Sequence, residues 1–177
     1  MKSEFEVASI SQTLEIAAML ASKIIKTGQE NGKQENTTNL PNSHNRTFSY
    51  CANSHGKRAV FTLAGELGAG KTEFCRGFIN SFFQNPIDVI SPSFNLLQIY
   101  SPCNYPEIYH YDLYRLNHAE EVFELGLEDA IANNIVLIEW ADVARNILPE
   151  DTIEIQIKKI VNNPNKRLIS IENVNIG

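Results

Sequence analysis

The sequence predicts a three-layer α/β domain around a mixed, partly antiparallel sheet. Two observations carry that reading. An apolar strand pattern, a glycine-rich turn and an amphipathic helix pattern follow one another mid-chain, as in a parallel strand–helix unit. Near the end, two runs alternate apolar and polar residues, as antiparallel strands with one wet face do.

Taken in order, residues 11–27 read as a helix. Leu14, Ala17, Ala18, Ala21, Ile24 and Ile25 recur at helical spacing, with Ser11 as N-cap and Gly28 as the residue that stops it. Residues 29–56 are rich in Asn, Ser, Thr and Gly and lack apolar periodicity, so a long polar loop is expected there, inserted into a single domain over 1–177. Arg58–Ala64 is β-branched and aromatic, a buried strand, and Thr72–Phe83 has helical apolar spacing. Ile87–Ile90 and Phe94–Tyr100 read as strands around the break Ser91-Pro92-Ser93, and Glu107–Leu113 as another. His118–Asn133 is helical with an interruption near Gly126. Ile135–Ile138 is an apolar run of the kind central parallel strands show. Thr152–Lys158 and Arg167–Glu172 form the late hairpin, turned at Asn162-Asn163-Pro164-Asn165.

Composition narrows the function. The chain has 177 residues, 43% of them hydrophobic, and a formal net charge of −6. That fits one compact domain and excludes a mainly disordered chain. No apolar run approaches the ~18 residues of a membrane span. The first residues are acidic and polar where a secretory signal is basic and then apolar. The cysteines, Cys51, Cys75 and Cys103, lie far apart with no CxxC pair, so neither a disulfide framework nor a zinc site is indicated, and a cytoplasmic setting is expected. The acidic balance argues against unaided binding of nucleic acid, which needs clustered Lys and Arg.

Gly65-Glu66-Leu67-Gly68-Ala69-Gly70-Lys71-Thr72 matches G-x-x-x-x-G-K-[ST] completely, with a strand pattern before it and a helix pattern after. Glycines let successive backbone N–H groups turn inward as an anion nest at a helix N-terminus. Lys71 then reaches the β- and γ-phosphates, and Thr72 offers its hydroxyl to Mg²⁺. The fold class sharpens to a P-loop NTPase-like domain. Such a loop needs an acid at the end of a neighbouring apolar strand, and Glu139 follows Ile135–Ile138 at the sheet's carboxyl edge. Trp140 comes next and, on its own, reads as packing. Ser93 is a candidate hydroxyl ligand near a γ-phosphate, although the segment alone is an ordinary turn. His110 and Asp112 share a strand face. Asp112 orients a nucleophilic water, binds a metal-coordinated water, or is a strand-end acid paired with Arg115; the residues alone leave these open.

The order of these pieces resembles the bacterial TsaE (YjeE) family. GELGAGKT, SPSF, HYDLYR, the segment Glu121–Asp129 and IEW follow one another as they do there, and the likeness covers roughly residues 5–28 and 58–160. Family members are small P-loop ATPases of tRNA threonylcarbamoyladenosine biosynthesis. The resemblance implies that Gly65, Glu66, Leu67, Gly68, Ala69, Gly70, Lys71, Thr72 and Glu73 cradle ATP, and that Thr72 and Glu139 hold Mg²⁺. It implies that Asp112 and Ser93 flank the γ-phosphate, that Trp140 lies at the nucleotide pocket, and that Ser11 and Thr13 flank the adenine. Lys71, Asp112 and Glu139 would be the catalytic set. The implied partners are the threonylcarbamoyl transferase subunit and its inactive paralogue, with tRNA engaged indirectly through that complex. The sequence departs from the family pattern at Glu73, usually Thr, at Glu66, usually Asp, at Ser93, usually Thr, and at Ala141, usually Pro.

Two other readings use the same loop. A small-molecule kinase needs a lid of clustered arginines, whereas Arg115, Arg145 and Arg167 are scattered along the chain. A nucleotide-dependent interaction module with little hydrolysis overlaps with the ATPase reading, since no arginine finger is evident.

Overall fold

The computed structural model describes residues 2–31 and 58–174. Strands β1 (Ser3–Val7), β2 (Ala59–Ala64), β3 (Leu97–Tyr100), β4 (Ile108–Asp112), β5 (Ile135–Glu139), β6 (Ile153–Ile160) and β7 (Asn163–Glu172) form one sheet in the order β1-β7-β6-β2-β5-β4-β3. The helices are α1 (Ile10–Asn31), α2 (Lys71–Asn80), α3 (Ala119–Glu124) and α4 (Leu127–Asn133), and a 3₁₀ segment spans Ala141–Ile147. Strands β2, β4, β5 and β6 run parallel to their neighbours among themselves, and the remaining pairings are antiparallel. The fold is therefore the expected mixed α/β arrangement, in three layers. Among the described residues no helix is long and apolar enough to cross a membrane.

The alternation of side chains decides which layer each strand serves. Phe61, Leu63, Ile135, Leu137, Ile155 and Ile157 face α1 and α2, where Phe74, Phe78 and Ile79 meet them. Val60, Val136, Ile138 and Tyr111 face α3, α4 and the 3₁₀ segment through Val122, Leu127 and Ala144. All of β5 is buried because it is covered on both faces. Strand β6 is buried only at Ile153, Ile155 and Ile157, with Glu154, Gln156 and Lys158 exposed between them.

Several expectations need correction. Helix α1 starts one residue before Ser11 and its N-cap is Ser9: Ser9 Oγ accepts the Gln12 N–H at 3.2 Å, and Gln12 Oε1 accepts the Ala8 N–H at 2.7 Å. Ser11 instead donates to Glu15 Oε1 within the helix. Gly28 does not end the helix, which continues to Asn31, since an interior glycine costs only about 1 kcal/mol. The polar loop expected over 29–56 otherwise lies outside the described residues. Ile87–Ile90 joins no strand. Asn80 and Arg76 of α2 satisfy its backbone instead: Asn80 Oδ1 accepts the Ile87 N–H at 2.7 Å, and Arg76 Nη2 donates to the Val89 carbonyl at 3.1 Å. The late hairpin turns at Val161-Asn162, where Asn162 takes φ 71°, and Asn163 already belongs to β7. Strand β1 was not anticipated. Its two inward apolar residues, Phe5 and Val7, alternate with Glu4 and Glu6, too short a pattern to stand out.

Helices α1 and α2 approach closely at Gly77, where an added Cβ would sit 2.8 Å from the Leu14 Cα and 3.1 Å from the Ala17 Cβ. Gly77→Ala is expected to lose about 1–3 kcal/mol through this overpacking, despite a helix-propensity gain of about 1 kcal/mol. Urea denaturation measures it; a variant as stable as wild type would show that the helices separate freely.

Candidate functional site

Register brings the site together. In the parallel ladder Leu63 pairs with Glu139 and Glu139 with Asp112, so β2, β5 and β4 end level with one another. Each carboxyl end delivers chemistry to the same edge: the glycine loop after β2, Glu139 on β5 and Asp112 on β4.

The loop itself is a tight backbone turn. Gly65 takes φ 152°, and a Cβ there would lie 2.3 Å from the Ile157 carbonyl oxygen of the adjoining strand. Gly68 and Gly70 also take positive φ, and the Glu66 carbonyl accepts the Ala69 N–H at 3.0 Å. The first helical bond of α2 runs from the Phe74 N–H to the Gly70 carbonyl, so the N–H groups of Lys71, Thr72 and Glu73 have no helical acceptor. From outside, Lys159 Nζ donates to the Leu67 carbonyl at 2.9 Å and lies 3.6 Å from Glu66, while Arg167 Nε donates to the Ala69 carbonyl at 3.0 Å. These two braces come from β6 and β7, and nothing in the local sequence signals them.

Lys71 is buried and folds back across the loop. Its Nζ donates to the Gly65 and Glu66 carbonyls at 2.8 and 3.2 Å and lies 3.9 Å from the centroid of the Trp140 ring. Burial lowers the pKa of the ammonium, while Glu139 and Asp112 opposite pull it back up. Trp140 reaches this place through a left-handed backbone (φ 58°) directly after β5, with Tyr114 packed on its ring at 4.9 Å. A tryptophan in that conformation is strained, and the strain sits beside the lysine.

Thr72 Oγ1 donates to Glu139 Oε1 at 2.8 Å, and His110 Nε2 lies 3.0 Å from the same oxygen. Asp112 is buried and accepts the Tyr114 N–H at 3.1 Å. Burial raises its pKa, neighbouring Glu139 raises it further, and that N–H bond pulls it down. Lys71, Thr72, Glu139 and Trp140 thus touch one another, and Asp112 joins them through the ladder. Ser93 lies in the turn whose Leu96 carbonyl accepts the Asp112 N–H at 3.0 Å. Ser11 and Thr13 bond within the first turns of α1, Thr13 Oγ1 to the Ser9 carbonyl at 3.4 Å. Glu73 is engaged by Arg76 one turn further along α2, in an ion pair that draws its carboxylate along the helix. His110 carries no assigned role in the sequence reading, although its shared face with Asp112 was visible there.

A cleft of about 560 Å³ runs along the open face of β2, β6 and β7 and meets the loop at Gly65, Glu66 and Trp140. Lys71, Thr72, Asp112 and Glu139 lie outside its lining, so these four groups meet beside the cleft and not in it.

Asp112 supplies a stability test in protein free of nucleotide and metal. Its folded pKa is raised above the unfolded value, so the folded state binds the extra proton. The Asp112 contribution to stability therefore falls as pH rises from about 3.9 through the folded pKa. Asp112→Asn keeps the oxygen that accepts from Tyr114 and removes the charge. The variant is expected to be the more stable protein at pH 7, with the gap closing as pH drops through the carboxylate range. Chemical denaturation across pH measures this, and a gap that widens on acidification would contradict the assigned sign.

The family model for threonylcarbamoyl adenosine biosynthesis protein TsaE matches residues 34–169. The tRNA threonylcarbamoyladenosine biosynthesis protein TsaE of Rickettsia typhi is 47% identical over 116 residues, which are 66% of this chain and 78% of the relative. The protein of the same name from Haemophilus influenzae is 36% identical over 122 residues, 68% of this chain and 76% of its own. The crystal structure of YdiB from Bacillus subtilis superposes with a TM-score of 0.61, covering 97% of this chain and 84% of that one at 22% identity, a likeness of fold. A glycine loop braced at the level end of three parallel strands, in a chain whose family match runs from residue 34 to 169, places the protein in the TsaE family of P-loop proteins.

Proposed function

We propose that the chain binds and hydrolyses ATP with Mg²⁺ and thereby supports threonylcarbamoylation of the adenosine next to the anticodon in tRNAs reading codons that begin with A. It acts in the cytoplasm with a threonylcarbamoyl transferase subunit and that subunit's inactive paralogue. The observation that carries the reading is the Thr72–Glu139 hydrogen bond beside the folded-back Lys71.

The donor set fits Mg²⁺. A hydroxyl and a carboxylate, both hard oxygen donors, sit together at a helix N-terminus, and Mg²⁺ is held by few protein oxygens with water and phosphate completing its shell. The ion would be held by Thr72 and Glu139 and would supply charge neutralisation at the β- and γ-phosphates. Lys71 gives up the Gly65 and Glu66 carbonyls for phosphate oxygens, an exchange of neutral acceptors for charged ones. The loop's N–H groups hold the anion. Asp112 orients the attacking water, with Ser93 close by, and Trp140 walls the pocket, while Ser11 and Thr13 border the adenine.

The arginines support hydrolysis over transfer to a small acceptor. Arg115 packs on the Phe94 ring at 4.5 Å, Arg145 lies 3.5 Å from Asp142 and Arg167 braces Ala69. They do not converge as a kinase lid does, and none stands over the loop as a finger, so hydrolysis is slow until partners join. The net charge of −6 leaves the grip on the tRNA backbone to those partners.

Reconstitution with both partners and substrate tRNA tests this. Lys71→Ala is expected to abolish ATP-dependent support of the modification; full support from that variant would overturn the reading. Glu139→Gln is expected to lower Mg²⁺-dependent hydrolysis on the order of 10–100-fold while nucleotide binding changes far less. Equal losses of both would remove Glu139 from the metal site.

A further inference from the structure

Beneath the Thr72–Glu139 pair lies a buried group that the reading above leaves idle. His110 is fully buried on β4, its Nε2 is 3.0 Å from Glu139 Oε1, and its Nδ1 has no hydrogen-bond partner. We propose that His110 is the positioning residue of the site, donating Nε2–H to Glu139 Oε1 and locking the rotation of the carboxylate so that it meets the metal in one orientation. The proposal rests on the Mg²⁺-dependent reading of Glu139.

Three observations support it. The contact joins β4 to β5 inside the parallel ladder, where His110 pairs with Leu137 and Asp112 with Glu139, so the donor is fixed by the sheet and not by a loop. The same Oε1 accepts from Thr72, and an oxygen held by two donors from different elements cannot swing about its terminal torsion. The orphaned Nδ1 then selects the tautomer. With the proton on Nε2, the buried orphan is a bare lone pair; with a proton on Nδ1, it would be an unpaired buried N–H, the costlier defect. A carboxylate at a metal is commonly held by such an outer partner, and loss of one costs about 10–100-fold in affinity or activity.

Cys75 completes a tight trio, its sulfur lying with the His110 and Glu139 donors within 4.8 Å of one another. A thiophilic metal bound there would need the thiolate. Burial, Glu139 and Asp112 push that thiol well above its ordinary pKa, so without a metal a neutral thiol lies beside the pair.

The experiment has two arms. In apo wild-type protein with ¹⁵N-labelled histidine, the His110 ring, identified by its loss in His110→Phe, is expected as the Nε2–H tautomer. A ring protonated on Nδ1 would overturn the proposal whatever the hydrolysis rate. In the second arm, His110→Phe fills the same space, removes the donor and also removes the orphan. It is expected to fold at least as stably as wild type, yet to lose about 10–100-fold in kcat or in affinity for Mg²⁺, with ATP binding in the absence of metal unchanged. His110→Gln places an N–H where Nε2 stands and is expected to recover the greater part of that loss, whereas His110→Asn, whose N–H stands where Nδ1 does, is not. Equal behaviour of Gln and Phe would overturn the proposal. Wild-type protein with the expected tautomer but no Mg²⁺-dependent hydrolysis would support the clamp and refute the ATPase reading.

Discussion

Strand β5 lies between two parallel neighbours, and the register of those two pairings decides where every charged group of the site falls. Glu139 faces Leu63 on one side and Asp112 on the other, so the glycine loop and the two carboxylates all begin at one height. A slip of one residue would send Glu139 to the opposite face, away from Thr72. The register is held by apolar packing on both faces: Ile135 and Leu137 against α2, Val136 and Ile138 against α4 and the 3₁₀ segment. The core therefore acts on function through alignment.

That alignment gathers one buried cation and two buried carboxylates at a single edge. Burial opposes ionisation of Lys71 and of Asp112 alike, and the mutual attraction of unlike charges offsets only part of that penalty. The folded-back lysine shows the compromise. It borrows the Gly65 and Glu66 carbonyls, which the phosphate proposed above would replace. The strand ends are fixed by the ladder, while the lysine rests on those two loop carbonyls.

Much of this was legible in the sequence because it is local. The glycine loop, the apolar run into Glu139 and the alternation of Ile153, Ile155 and Ile157 each announce themselves within a few residues. What was not legible depends on partners distant in the chain. Ile87–Ile90 has strand-forming residues, but Asn80 and Arg76 take its backbone bonds first. The braces from Lys159 and Arg167 exist only once β6 and β7 lie beside the loop. Ser9 and Ser11 are equally good caps by type, and Gln12 breaks the tie by bonding back to Ala8. His110 was seen beside Asp112, yet its contact with Glu139 spans the ladder and has no sequence spacing to betray it.

Trp140 is the chain's single tryptophan, and its ring lies against the Lys71 ammonium. Indole emission responds to a nearby charge, so the protein carries a built-in optical gauge of where its lysine is. Were an anion to draw Lys71 off the loop, as proposed above, the ring would lose its cation and the colour or yield of that one fluorophore would change. The residue packed on Lys71 would therefore report, without any label, whether the lysine has moved.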